Sequence, residues 1–468
     1  MPQNLSVKKG QDIELDIRSL AFGGLGVSKF NDIVTFVKNA IPGQKVNARV
    51  VKKRSSYLEA RVVEVLVESP FYNDAKCGHF DDCGGCTFQN LKYKKQILEK
   101  EIQVKDLFDR IGGLSNIKIE KIIECDEVFH YRNKMEFTFS NFEYIPENEK
   151  NRKGKDFVLG LHAPGRWDKI LDIDNCFIQD PLANQILSVI KLVTNKMEPY
   201  NIREHTGFLR NVIIRMAKNT SDIMVNIVTS FDHRKSLVPV VDALISKFPS
   251  ITSIINNITS RKAGISMGEK QILLYGNEYI IDKLGQYKFM ISADSFFQTN
   301  TIQAEKLYDI ILEESNLTGN EIVYDLFCGT GSISLYVAKF AKMVYGFEVV
   351  PSAIEDAMQN AILNNVKNSW FFLGNLESLL RENPEVKTLD LPDVVIIDPP
   401  RAGIHNNTIK DILNKMPKRI VYVSCNPSTQ ARDVSIFCKN NYIIKKIRPL
   451  DMFPHTPHIE NIVTLIKE

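Results

Sequence analysis

The sequence predicts an α/β chain in which an open parallel sheet flanked by helices follows a small β-barrel and a mixed α+β middle region. Three observations predict it. The first 69 residues alternate apolar and polar side chains in short runs punctuated by glycine. After about residue 285, apolar strand-like runs alternate with helix-length segments. Finally, 468 residues with 44% hydrophobic and 25% charged side chains are enough for two or three separate cores, with the balance of a globular chain. The expected division is 1–69, 70–285 and 286–468.

In the first region, Asp12-Ile13-Glu14-Leu15-Asp16-Ile17 and Ile33-Val34-Thr35-Phe36-Val37 have the period-two pattern of strands with one buried face. Gly23-Gly24, Gly26 and Pro42-Gly43 mark the turns. Lys52, Lys53 and Arg54 beside Tyr57 suit an oligonucleotide-binding surface of the OB type, and equally suit a solvated face. In the middle region Asn148 to Asp156 reads as an exposed charged loop.

The net charge of +3 is too small to demand a polyanionic partner. No stretch of about 18 apolar residues is present to span a membrane, and the opening residues lack the apolar core of a signal peptide. The expected location is therefore the cytoplasm, with no membrane partner and no obligate protein partner inferred. Reduced cysteines are expected there. Three of the eight crowd into Cys77-Gly78-His79-Phe80-Asp81-Asp82-Cys83-Gly84-Gly85-Cys86, a spacing that reads as metal binding.

In the last region the predicted strands are Ile322-Val323-Tyr324, Met343-Val344-Tyr345, Val394-Val395-Ile396-Ile397 and Ile420-Val421-Tyr422-Val423. The first runs into Asp325-Leu326-Phe327-Cys328-Gly329-Thr330-Gly331 and a helix-like segment from Ser332 to Phe340. Glycines at the carboxyl end of a strand let the backbone approach a ligand, and Glu348 after the next strand is placed to accept ribose hydroxyls. Without a following Lys-Ser/Thr, the loop is not a phosphate-cradling P-loop. Asp398-Pro399-Pro400-Arg401-Ala402-Gly403 and Ser424-Cys425-Asn426-Pro427 end the next two strands, and Asp451 to Glu460 lies near the C-terminus. Taken alone, Cys425 is better explained by burial than by catalysis.

Together these segments resemble the RNA uracil-5 methyltransferase family, whose members act on 23S ribosomal RNA or transfer RNA. The resemblance implies a C-terminal Rossmann-like domain using S-adenosylmethionine, an N-terminal TRAM barrel and a central cluster-bearing domain. It implies that Cys425 attacks carbon 6 of uracil and that Glu460 removes the carbon 5 proton, forming 5-methyluridine. A free thiol is mostly protonated near neutrality, so Cys425 is expected in a site that lowers its pKa or supplies a base. Gln298, Phe327, Glu348 and Asp398 match cofactor-binding positions, and His455 and His458 read as scaffolding around Glu460. Many members hold a 4Fe-4S cluster with this cysteine spacing plus a distant thiol, implying Cys77, Cys83, Cys86 and Cys176 as ligands. Ligand chemistry by itself admits zinc as well, and the resemblance points to iron-sulfur in a structural or RNA-positioning role. Cys125, Cys328 and Cys438 read as packing residues.

Tyr131-Arg132-Asn133-Lys134-Met135-Glu136-Phe137 mixes rings, cations and amides suited to RNA contacts, or forms an amphipathic strand. The barrel and cysteine cluster resemble the 23S branch. A transfer RNA enzyme, and a non-catalytic RNA-binding or folding protein on the same fold, are the alternatives.

Overall fold

The computed structural model describes residues 7–115, 117–146, 149, 151–262 and 268–468. The predicted exposed loop at Asn148 to Asp156 falls partly outside them, since residues 148 and 150 are among those not described. In its described part, Arg152 pairs with Glu143 and Glu149.

Six strands form the N-terminal sheet, ordered Asp12–Asp16, Lys45–Lys53, Tyr57–Val67, Ile33–Lys38, Gly26–Phe30 and Ser19–Leu20. Ile13, Leu15 and Ile17 are buried while Asp12, Glu14 and Asp16 face water, so the period-two pattern sorts the two faces. Lys52 is paired with Glu59 at 2.7 Å, Lys53 donates to the Val7 carbonyl, and Arg54 is exposed at the hairpin end.

The middle sheet has seven strands in the order Lys270–Gly276, Ile251–Ile258, Ile223–Thr229, Leu209–Met216, Lys134–Ser140, Val158–His162, Ile170–Asp172. Helices Pro181–Thr194 and Val238–Lys247 cover one face, burying Ile186, Ile190, Val240 and Leu244 against Phe137, Val212 and Ile214. The alternate residues Glu136, Thr138 and Asn211 belong to the opposite face.

The C-terminal sheet is ordered Ser369–Leu373, Met343–Glu348, Ile322–Leu326, Val394–Ile397, Arg419–Ser424, Glu460–Lys467, Tyr442–Leu450. The first five strands are parallel, and Glu460–Lys467 runs antiparallel to both neighbours. Its strands are nearly all apolar because both faces are covered. Val323, Val394 and Val421 pack toward helices Thr301–Ser315, Ser332–Ala338 and Pro351–Leu363. Tyr324, Val395 and Tyr422 pack toward helices Asn406–Lys415 and Pro427–Cys438.

Two features depart from the expected division of the chain. Helix Tyr93–Arg110, from the expected middle region, buries Val104 and Phe108 in the same core as Ala431 and Val434. Its Lys100 forms a buried 2.6 Å ion pair with Asp451. The hairpin Tyr279–Leu284 and Tyr287–Ser292 straddles the expected division after 285, and its Leu284 and Phe289 join the core of the C-terminal sheet.

No helix among the described residues is long and apolar enough to cross a membrane.

Candidate active site

Phe327, Glu348, Asp398 and Cys425 all follow or end parallel strands, so they share the carboxyl edge of the sheet. Open α/β sheets bind ligands at this edge, where the strand order reverses. Here the reversal falls between Ile322–Leu326 and Val394–Ile397, which carry Phe327 and Asp398 at their ends.

Cys425 and Glu460 meet through strand register. Ser424 is the partner of Asn461 in the antiparallel pair, so the next residue on each side brings Cys425 opposite Glu460. Gln430 clamps the same point: its amide donates to the Tyr422 and Asn461 carbonyls at 2.8 and 2.9 Å and accepts from Asn461 Nδ2 at 2.6 Å.

The motif around the cysteine has a local cause. Asn426 caps helix Pro427–Cys438, its side chain accepting from the Ser428 N–H, and Pro427 occupies the first turn, where no amide donor is required. Cys425 therefore stands just before a helix N-terminus, whose dipole favours a thiolate. Asn426 Nδ2 also donates to the Arg401 carbonyl at 2.9 Å, joining the cysteine loop to the Asp398-Pro399-Pro400-Arg401 turn. Gly403 closes that turn at φ 80°, and a Cβ there would lie 2.6 Å from the Asp433 carboxylate.

Burial pushes the Cys425 thiol up to about 11, with Glu460 and Asp398 adding to the rise. Arg401 opposes it, its nearby guanidinium favouring the thiolate. The free site thus does not lower the thiol pKa; desolvation and two acidic neighbours outweigh the guanidinium. Glu460 is driven well above the usual carboxylate range by burial, with Asp398 contributing, while Asp398 itself is pushed up to about 7. Arg401 was legible only as part of its motif; that its guanidinium lies near the sulfur is a tertiary fact.

The glycine loop forms the other half. Phe327 adopts φ 65°, a conformation uncommon outside glycine, and a Cβ on Gly329 would meet only open space. Glu348 accepts hydrogen bonds from the Gly329, Val349 and Val350 N–H groups. Asp325 holds Ser334 at 2.6 Å, and its other oxygen is buried without a partner among the described residues. These acceptors and the open glycine face fit a ligand carrying hydroxyl or amino donors. Gln298 lies just before helix Thr301–Ser315, its carbonyl accepting from Asn133 Nδ2 at 2.9 Å.

His455 holds the C-terminal loop in place: its N–H donates to Gln96 Oε1, and its carbonyl accepts from Thr87 and Phe88. Burial lowers both His455 and His458 to about 4, so both rings are neutral near pH 7. Tyr131 is 2% exposed and donates to the Pro454 carbonyl, and Asn133, 4% exposed, binds Gln298 and Thr301. These two are interior ties rather than the RNA-contacting groups their composition suggested.

Cys77, Cys83, Cys86 and Cys176 line one cavity beside the middle sheet. The Cys83 sulfur accepts a hydrogen bond from the Gly85 N–H at 3.4 Å. Burial raises all four thiols, Cys83 to about 12 and Cys86 to about 11. Among the described residues, no three His, Cys, Asp or Glu side chains are gathered tightly enough to hold a single metal ion.

Residues 253–468 match the family model described as tRNA (Uracil-5-)-methyltransferase, and residues 6–82 match the TRAM domain. The chain is 38% identical to an uncharacterized RNA methyltransferase of Chlorobaculum tepidum, over 98% of this chain and 97% of that one. It is 40% identical to an uncharacterized RNA methyltransferase of Porphyromonas gingivalis, covering 97% and 99% of the two. The crystal structure of Pyrococcus abyssi tRNA (uracil-54, C5)-methyltransferase in complex with S-adenosyl-L-homocysteine superposes with a TM-score of 0.75 at 30% identity. The match covers 97% of this chain and all of that one.

Proposed function

The chain belongs to the RNA uracil-5 methyltransferase family, and from that premise we propose that it methylates carbon 5 of a uridine through a covalent bond between Cys425 and carbon 6. The observation that carries this reading is the register that brings Cys425 and Glu460 opposite each other beside Asp398 and Arg401.

Carbon 5 of uracil is too weak a nucleophile to attack a methyl donor unaided. Cys425 gives its proton to solvent, and addition of the resulting thiolate to carbon 6 breaks the 5,6 double bond and makes carbon 5 electron-rich as part of an enolate. Arg401 compensates charge on the sulfur, as does the helix N-terminus behind it. Glu348, Phe327, Gln298 and Asp398 would hold S-adenosylmethionine, which would supply the methyl group as an electrophilic sulfonium and leave as the neutral thioether. Glu460, ionised for this step, takes the carbon 5 proton and the thiolate leaves, restoring the double bond; that proton then passes to solvent. The target base must leave its stack for its face to be reached.

We assign the four cysteines to a 4Fe-4S cluster in preference to zinc. The thiols surround a cavity rather than one point, which suits four irons each taking one thiolate. Its role is structural or RNA-positioning, since the proposed reaction moves no electrons.

The substrate we favour is 23S ribosomal RNA, because the barrel combined with this cysteine spacing resembles that branch; action in the cytoplasm follows. The transfer RNA reading is favoured by the activity of the Pyrococcus abyssi neighbour. Mapping 5-methyluridine in both RNA classes from cells with and without the gene decides between them. For the chemistry, Cys425→Ala should abolish methylation and covalent RNA capture, while Glu460→Gln should accumulate a methylated protein–RNA adduct. A fully active Cys425→Ala variant would overturn the mechanism.

A further inference from the structure

The middle sheet carries a second cavity, of about 730 Å³, on the face its helices leave uncovered. This volume lies within the range of about 300–1,000 Å³ typical of ligand pockets. Its floor is a polar chain: Asn211 Nδ2 donates to Thr138 Oγ1 at 3.1 Å, and Thr138 Oγ1 pairs with His162 Nε2 at 3.1 Å. His162 Nδ1 is buried without a partner among the described residues.

Trp167, Tyr200, His205, Arg210 and Lys262 are among the other residues that line it, beside one acid, Glu136. Arg210 stacks on Tyr200, 4.3 Å from the ring centroid, and donates to the Thr259 and Arg261 carbonyls, so ring and cation are fixed before any ligand arrives. Trp167 is 65% exposed. A solitary exposed aromatic is ordinary; this one stands on a turn fastened across the mouth, where Arg203 of the opposite loop donates to Asp168 at 2.9 Å.

An exposed indole, a fixed ring–cation pair, a further lysine and an amide floor are what unpaired nucleotides need: a stacking surface, positive charge for phosphate and groups to read a base edge. We infer that this cavity receives an unpaired nucleotide of the RNA substrate other than the methylated uridine, its base stacked on Trp167. The inference rests on RNA being the substrate. The pocket shares no residue with the Cys425 site yet is rigidly tied to it. Asn133, bonded to Gln298 and Thr301, leads directly into the strand Lys134–Ser140, and Thr138 lies about 17 Å along it at ~3.3 Å per residue. The captured nucleotide is therefore offset from the target by a few positions, and the pocket sets which uridine reaches the thiol.

The protein supplies its own reporter, since it has only two tryptophans, Trp167 and Trp370. A Trp370→Phe variant leaves Trp167 alone. Titrating it with a single-stranded RNA of about eight mixed uridine and adenosine nucleotides, within the usual span of such sites, should quench its emission saturably. The same RNA annealed to its complement should not. Trp167→Ala should weaken RNA binding by about 5- to 100-fold, raise KM for RNA at unchanged kcat and leave S-adenosylmethionine affinity unaltered, with Trp167→Phe restoring most of the loss. Absent quenching, equal quenching by duplex, or unchanged RNA affinity in Trp167→Ala overturns the pocket. Methylation by a protein whose Trp167 is silent overturns the pocket alone, whereas saturable quenching without methylation of any RNA overturns the proposed activity and leaves the pocket standing.

Discussion

The N–H of Gly84, between the second and third clustered cysteines, donates to the carbonyl of His162 at 3.0 Å, so the cysteine loop props the turn that presents Trp167. A Cβ on Gly84 would come within 3.0 Å of that carbonyl, so the contact is tight. The cysteine loop and the second cavity are therefore mechanically joined.

Anaerobically purified protein is accordingly expected to hold about four irons per chain. Cys176→Ser should lose most of them. Chelating the metal from the Trp370→Phe protein should shift Trp167 emission and weaken RNA binding while sparing S-adenosylmethionine affinity. Zinc, or no metal, on elemental analysis would remove the cluster assignment.

A second expectation concerns pH. Attack on carbon 6 requires the thiolate, and Cys425 is raised to about 11, so below that value each pH unit increases the reactive fraction about tenfold. Single-turnover methylation should rise steadily between about pH 6 and pH 9. Arg401→Gln removes the cation that favours the thiolate, which should raise the thiol pKa further and slow neutral-pH methylation by about 10- to 100-fold. Arg401→Lys should recover part of the loss. A flat profile, or an Arg401→Gln variant with wild-type rates, would contradict the assigned roles.

The third concerns stability. Lys100 and Asp451 are 1% and 0% exposed and 2.6 Å apart, and Tyr93 donates a further hydrogen bond to Asp451 at 2.9 Å. Lys100→Met would strand a buried carboxylate, at a cost of about 3–5 kcal/mol. Denaturant unfolding should detect this, and Lys100→Met combined with Asp451→Leu should be the more stable of the two variants, because no buried charge remains. A wild-type unfolding midpoint for Lys100→Met would show that the pair contributes little.

Much of the fold was legible because burial leaves a periodic trace. Ile13, Leu15 and Ile17 alternate with acids where one face is wet, while Val394 to Ile397 is continuous where both faces are dry. Phe327, Glu348, Asp398 and Cys425 were legible because each follows or ends such a run, within a short contiguous motif. Helix Tyr93–Arg110 was harder to place: its apolar stripe announces that it packs but not against what, and the structure assigns it to Ala431 and Val434. For Tyr131 and Asn133 the sequence left two readings open for the same reason, since composition does not distinguish a ring that meets RNA from one that meets Pro454.

By itself the sequence determined the α/β class, the barrel ahead of it, and the thiol, carboxylates and cysteine spacing to which the proposed chemistry is assigned, because each is written in residues close together along the chain. Tertiary structure decided the rest. It brought Cys425 opposite Glu460 by antiparallel register, raised the thiol by burial, set Arg401 against the sulfur, and built a cavity from loops over 90 residues apart. Register, desolvation and cavity shape depend on which distant segments pack together, and local pattern does not encode that pairing.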